Sequence, residues 1–138
     1  MELFTISQNI AVVFLKVPQF PKEVPATYEK LHGLLPDNPN RRYFGISHPD
    51  KTGSILYKAA AEILASDNFT NTEWQQFTIT KGDFAAKYIV NHFQDSNCIG
   101  STFQELLQHP KLDPNGYCLE VYKNYTDLDV HCMVRLVE

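Results

Sequence analysis

The dipeptide Pro39-Asn40 recurs as Pro114-Asn115, an offset of 114 − 39 = 75 positions. Each copy follows a stretch with helical apolar spacing and precedes a strand-like run. Leu34-Leu35-Pro36 leads into the first, and Leu106-Leu107-Gln108-His109-Pro110 into the second. At the same offset Phe44 falls on Leu119 and Ile46 on Val121, apolar on apolar, while Gly45 falls on Glu120. A chain that repeats such an order is expected to build two similar packing units, here about 1–68 and 69–138 of a single domain.

The elements follow from periodicity. A first strand lies somewhere within Phe4–Val17. Val24, Tyr28, Leu31 and Leu35 then fall on one face of a helix, with Pro21 or Pro25 harmless in its first turn. Pro36-Asp37-Asn38-Pro39-Asn40 is a loop. Arg41–Ser47 and Ser54–Leu64 read as a hairpin around Pro49-Asp50-Lys51-Thr52-Gly53, although the alanines of the second run also suit a helix. Trp74–Thr80 and Phe84–Val90 read as two strands joined by a tight turn at Lys81-Gly82-Asp83. Thr102-Phe103-Gln104-Glu105 has capping-box spacing, opening a helix with Ile99, Phe103, Leu106 and Leu107 as its stripe, unless that helix starts a few residues earlier. Tyr117–Tyr122 and Val130–Val137 close the chain as strands. The expected fold is α+β: duplicated βαββ modules about a pseudo-twofold axis, forming an antiparallel sheet with two main helices. A groove on such an axis is a natural ligand site.

Composition narrows the function classes. A chain of 138 residues with 43% hydrophobic and 20% charged residues is globular in character. Its net charge of −4 comes with one adjacent basic pair, Arg41-Arg42, so no direct nucleic-acid binding is expected. Ile10–Val17 is too short to span a bilayer, so no membrane span is expected. Three cysteines (Cys98, Cys118, Cys132) without CxxC spacing argue against a disulfide framework and suit a cytoplasmic location. Five scattered histidines give no zinc spacing. No metal and no cofactor is expected.

Glu120 is the leading site candidate. It lies in Cys118-Leu119-Glu120-Val121-Tyr122, where Cys118, Glu120 and Tyr122 share one face. Alternation alone is compatible with a solvated face. The tyrosines favour the other reading, because a carboxylate beside aromatic rings is a natural cation site. With Gly45 as its counterpart, the opposite strand would leave room for a ligand. Glu62 is a second carboxylate, with Lys58 as a possible ion-pair partner. Tyr43, Tyr57, Trp74, Phe93 and Phe103 are candidate cleft walls. His131 is placed to approach Glu120 from the following strand.

The segments Arg42-Tyr43-Phe44-Gly45-Ile46-Ser47, Tyr57-Lys58-Ala59-Ala60-Ala61-Glu62, Ile79-Thr80-Lys81-Gly82-Asp83-Phe84-Ala85 and Leu119-Glu120-Val121-Tyr122 resemble, in order, the GyrI-like or AraC-type effector-binding domain. The resemblance implies two modules around a ligand cleft that takes amphipathic, often cationic, small molecules. It also implies a pocket glutamate, here Glu120, with Tyr122 nearby. Some such domains sit behind DNA-binding domains in transcription regulators, and this chain resembles the stand-alone form. A subset are hydrolases of reactive small molecules. The expected function is therefore binding of amphipathic, possibly cationic ligands of the multidrug type, with Glu120, Tyr122, Tyr43, Tyr57, Trp74 and Glu62 as ligand-binding residues. A hydrolase using the cleft glutamate and a protein-interaction or inhibitor module are the alternatives. Exposed sheet edges are compatible with a homodimer.

Overall fold

The computed structural model describes residues 1–67, 75–94 and 97–137. In chain order these form β1 (Glu2–Ile6), β2 (Ile10–Lys16), α1 (Val24–Leu34), β3 (Tyr43–Pro49), β4 (Ile55–Glu62), β5 (Gln75–Ile79) and β6 (Gly82–Ile89). A single 3-10 turn (His92–Gln94), α2 (Cys98–Leu106), β7 (Cys118–Tyr122) and β8 (Val130–Arg135) follow. The strands make one antiparallel sheet in the order β1-β6-β8-β7-β3-β4-β2-β5. Exchanging β1 with β5, β2 with β6, β3 with β7 and β4 with β8 returns the same order read from the other end. The sheet therefore has a pseudo-twofold centre between β3 and β7.

The 75-residue offset reappears at that centre. Gly45 and Glu120 are register partners there, and 120 − 45 = 75. The helices keep the same offset: Thr27 and Leu31 of α1 correspond to Thr102 and Leu106 of α2, and all four are buried. The βαββ core of each unit, β2-α1-β3-β4 and β6-α2-β7-β8, is as the sequence indicated. Each core is preceded by one further strand. Those strands are exchanged: β1 pairs with β6 and β5 pairs with β2. The expected tight hairpin at Lys81-Gly82-Asp83 is thus not formed, since β5 lies at one edge of the sheet and β6 near the other. Cross-strand apolar pairs such as Ile10↔Ile79 and Val12↔Phe77 fix β5 on β2 instead. The expected unit boundary near residue 68 lies outside the described residues.

Both helices cover one face. Leu31 and Leu35 pack on Val13, Tyr43, Tyr57, Ala59 and Ala61. Phe103 and Leu106 pack on Ala85, Val130, Cys132 and Val134. Ala59, Ala60 and Ala61 are wholly buried. Strand pairing on both sides of β4 overrides their helix propensity. The capping-box reading of Thr102 is corrected: α2 begins at Cys98 with Asn97 at the N-cap position. Thr102 sits buried inside the helix, and Glu105 pairs with Lys87 at 3.1 Å. Among the described residues, the other face carries no helix. The sheet curls so far there that Phe77 of β5 meets Tyr117, just before β7, with ring centroids 5.5 Å apart. Phe14, Phe44, Ile46, Phe84, Leu119 and Met133 fill the hollow.

One buried ion pair ties the loop before β3 to the turn after β4. Arg41 is 1% exposed and holds Asp67 through two hydrogen bonds of 2.7 and 2.9 Å. The other Nη1 and Nη2 protons go to the carbonyls of Glu62 and Pro36, and Nε is left without a partner among the described residues. Among the described residues, no helix is long and apolar enough to cross a membrane.

Candidate functional site

Glu120 stands on β7 at the pseudo-twofold centre, on the face that bears the helices. Strand alternation sets it with Cys118 and Tyr122, and both of those side chains pack in the helix-side core. It is 6% exposed. Two phenols donate to its Oε1: Tyr122 at 2.6 Å and Tyr57, from β4, at 3.2 Å. The Tyr28 hydroxyl of α1 donates at 2.7 Å to the carbonyl of Phe44 and lies 2.9 Å from the Tyr57 hydroxyl. The Tyr28 ring stands edge-on to both Tyr57 and Tyr122, with centroids 6.3 and 6.2 Å away. Phe20 stacks on Tyr57 at 5.4 Å, while His92 leans on Tyr122 at 5.7 Å and on Phe93 at 4.2 Å. The carboxylate thus lies at the floor of an aromatic nest whose outer rings, Phe20 and Phe93, are exposed.

The glycine opposite is required by this packing. A Cβ built on Gly45 would lie 2.1 Å from the Tyr57 hydroxyl, 2.7 Å from its ring carbon and 2.9 Å from Glu120 Oε2. The room anticipated beside Gly45 is present, and Tyr57 fills it.

The electrostatics follow from burial. Desolvation raises the Glu120 carboxyl above its ordinary value, and the hydrogen bonds from Tyr122 and Tyr57 oppose that rise only in part. Burial, with Glu120 second, holds the phenols of Tyr28, Tyr57 and Tyr122 well above their usual range. The Cys118 thiol is pushed up to about 11 for the same two reasons, and Cys132 moves in the same direction. Both therefore rest as thiols, in line with their reading as small buried apolar groups. Among the described residues no Lys, Arg or His stands within ion-pair distance of Glu120. No group of three or more His, Cys, Asp or Glu side chains among them is placed to hold a metal.

The other expected site residues are dispersed. Tyr43 is buried on the helix face, but its hydroxyl goes to His32 Nδ1 at 2.9 Å and its ring to Tyr125. Burial raises its phenol to about 12. Glu62 alternates onto the opposite face and is gripped by Arg42, with bonds of 3.0 and 2.7 Å, not by Lys58. Trp74 lies outside the described residues. His131 does not approach Glu120: it pairs with Val121, faces away, and packs on Phe4 and Tyr88. Cys132 is the neighbour of Glu120 on β8. Tyr28 was absent from the expected site. Its signal was a polar tip on an otherwise aliphatic helix stripe, a group that needs a partner when buried.

The fold and site define an α+β class in which two strand-exchanged units enclose a buried carboxylate at their junction. A solved structure with this fold is that of SAV2435 bound to tetraphenylphosphonium, with a TM-score of 0.68 over 99% of this chain and 93% of the other. The two sequences are 10% identical, so the likeness is one of fold. No family model and no curated protein matches the chain.

Proposed function

We propose that this protein binds lipophilic organic cations between α1 and α2, with Glu120 as the counter-charge. The observation that carries the reading is a carboxylate, 6% exposed, held only by tyrosine hydroxyls and left without a cation by the described residues. An ionised carboxylate in such a place is costly unless it is paired. A bulky cation would supply the missing charge and meet ring faces on every side: Tyr28, Tyr57, Tyr122, Phe20 and Phe93. Tetraphenylphosphonium, the molecule bound to SAV2435, has this chemistry. The reading also accords with the resemblance to GyrI-like effector-binding domains.

Tyr57 and Tyr28 occupy the floor in the closed arrangement, so entry of a large cation requires them to swing aside. Phe20 and the turn carrying Phe93 line the exposed rim that would move with them. The test is a thermal-shift titration with tetraphenylphosphonium and its uncharged relative triphenylphosphine oxide. The cation is expected to raise the melting temperature, the oxide to do so far less, and Glu120→Gln to abolish the difference. Equal stabilisation of wild type and Glu120→Gln by the cation would sink the proposal. The raised carboxyl would also suit a general base toward water. Turnover of a reactive electrophile, lost in Glu120→Gln, would favour a hydrolase over a binding protein.

A further inference from the structure

The hollow face of the sheet holds a second feature, back to back with the Glu120 cleft. Between the end of β3 and the loop before β7 lies a cavity of about 330 Å³, within the size range of small-ligand sites. Ile46, His48, Lys58, Phe77, Asn115 and Tyr117 are among its walls. Its lining includes two side chains able to carry positive charge, Lys58 and His48, and no carboxylate. That composition is notable in a chain with 16 acidic and 12 basic residues.

Lys58 is the unusual member. Its Nζ stands over the rings of Phe14 and Phe77, 5.4 and 5.2 Å from their centroids. Among the described residues no carboxylate lies within ion-pair distance of it, and the Glu62 carboxylate, four residues on, is committed to Arg42. Its direct cross-strand neighbour is Lys16, a like charge, which is an unfavourable pair. Burial, with Lys16 second, lowers the Lys58 ammonium below its ordinary value. The arrangement is a cation set on an apolar floor, without a counter-ion, at the edge of a cavity of ligand size.

We propose that this cavity is a second binding site, for a small aromatic monocarboxylate whose ring lies against Phe77 and Tyr117 and whose carboxylate meets Lys58. A single negative charge matches the single lysine in the wall, and an apolar body matches Ile46, Phe77 and Tyr117. The site is independent of Glu120. Tyr57 and Lys58 are consecutive on β4 and point to opposite faces of the sheet, so the cation cleft and this cavity have no wall in common.

The experiment is an amide chemical-shift titration of the full chain with 1-naphthoate, beside 1-naphthamide, which has the same ring system and no charge. Naphthoate is expected to shift the amides of Ile46, His48, Lys58, Phe77 and Tyr117 in a saturable way, and naphthamide to bind at least tenfold more weakly. Lys58→Met is expected to weaken naphthoate binding at least tenfold, and Lys58→Arg to restore most of it. A native amide spectrum of Lys58→Met keeps loss of binding distinct from loss of fold. The proposal is overturned if naphthoate produces no saturable shifts at these residues, if naphthamide binds as well, if the shifts fall around Glu120 instead, or if Lys58→Met binds naphthoate like the wild type.

Discussion

Replacing Gly45 by alanine places a methyl group where Tyr57 now reaches Glu120. The added carbon would stand 2.1 Å from the Tyr57 hydroxyl, against an ordinary contact of about 3.4 Å, so that oxygen must retreat by more than 1 Å. The Tyr57–Glu120 hydrogen bond is already 3.2 Å long and would break. The Tyr57 ring is also stacked on Phe20, with centroids 5.4 Å apart, a contact that its retreat would disturb. Losing a hydrogen bond to a charged group costs roughly 1.5–3 kcal/mol, and forcing extra volume into a packed core adds roughly 1–3 kcal/mol. Gly45→Ala is therefore expected to lower the unfolding free energy by about 2.5–6 kcal/mol in equilibrium urea denaturation. Tyr57→Phe removes the oxygen nearest the methyl but leaves the ring carbon at 2.7 Å, so the double variant should be partly relieved. Its cost should fall short of the sum of the two single variants by more than about 1 kcal/mol, the signature of contacting residues. A cost for Gly45→Ala below about 0.5 kcal/mol, or strict additivity in the cycle, would refute the packing described around Gly45 and Glu120.

Three further outcomes are expected. Asp67→Ala strands Arg41 in a site where it is 1% exposed, and should cost about 3–5 kcal/mol in the same denaturation assay. Glu62→Gln breaks a pair whose arginine side chain is 40% exposed. It should cost no more than about 1 kcal/mol and leave cation binding unchanged, since Glu62 faces away from Glu120. The Glu120 carboxyl is raised in the folded state, so the native protein holds a proton that the unfolded chain has released, and stability falls as pH rises from the ordinary glutamate value through the raised one. Unfolding free energies measured across that window should decline less steeply in Glu120→Gln than in the wild type.

The sequence carried the architecture further than the site. Helical spacing at Val24, Tyr28 and Leu31 and the Pro-Asn repeat gave the two βαββ cores, because period and punctuation are local properties. The exchange of β1 and β5 was not legible. It depends on pairing between segments some 70–85 residues apart, as in Leu3↔Ala85 and Ile10↔Ile79, and nothing within Lys81-Gly82-Asp83 says that its flanking strands part company. The burial of Glu120 was suggested by the neighbouring tyrosines, the repeat and the family resemblance, whereas alternation alone slightly favoured a solvated glutamate. Tyr28 escaped because a tyrosine on an apolar helix stripe reads first as core. Its role appears only once α1 is laid over β4 and its hydroxyl meets that of Tyr57 at 2.9 Å. Glu62 was drawn in as a second carboxylate on a strand, and its distance from Glu120 follows from strand alternation together with the neighbouring guanidinium of Arg42.

Glu120 is a buried carboxylate, and the proposed function gives it a bound cation as partner. The direct measurement is the carbon-13 shift of its side-chain carboxyl, followed through a pH titration of the protein alone and with tetraphenylphosphonium at saturation. Free Glu120 should titrate above the ordinary glutamate value, and the bound cation should move that midpoint downward, because it favours the ionised form. A midpoint unchanged by bound tetraphenylphosphonium would contradict the account.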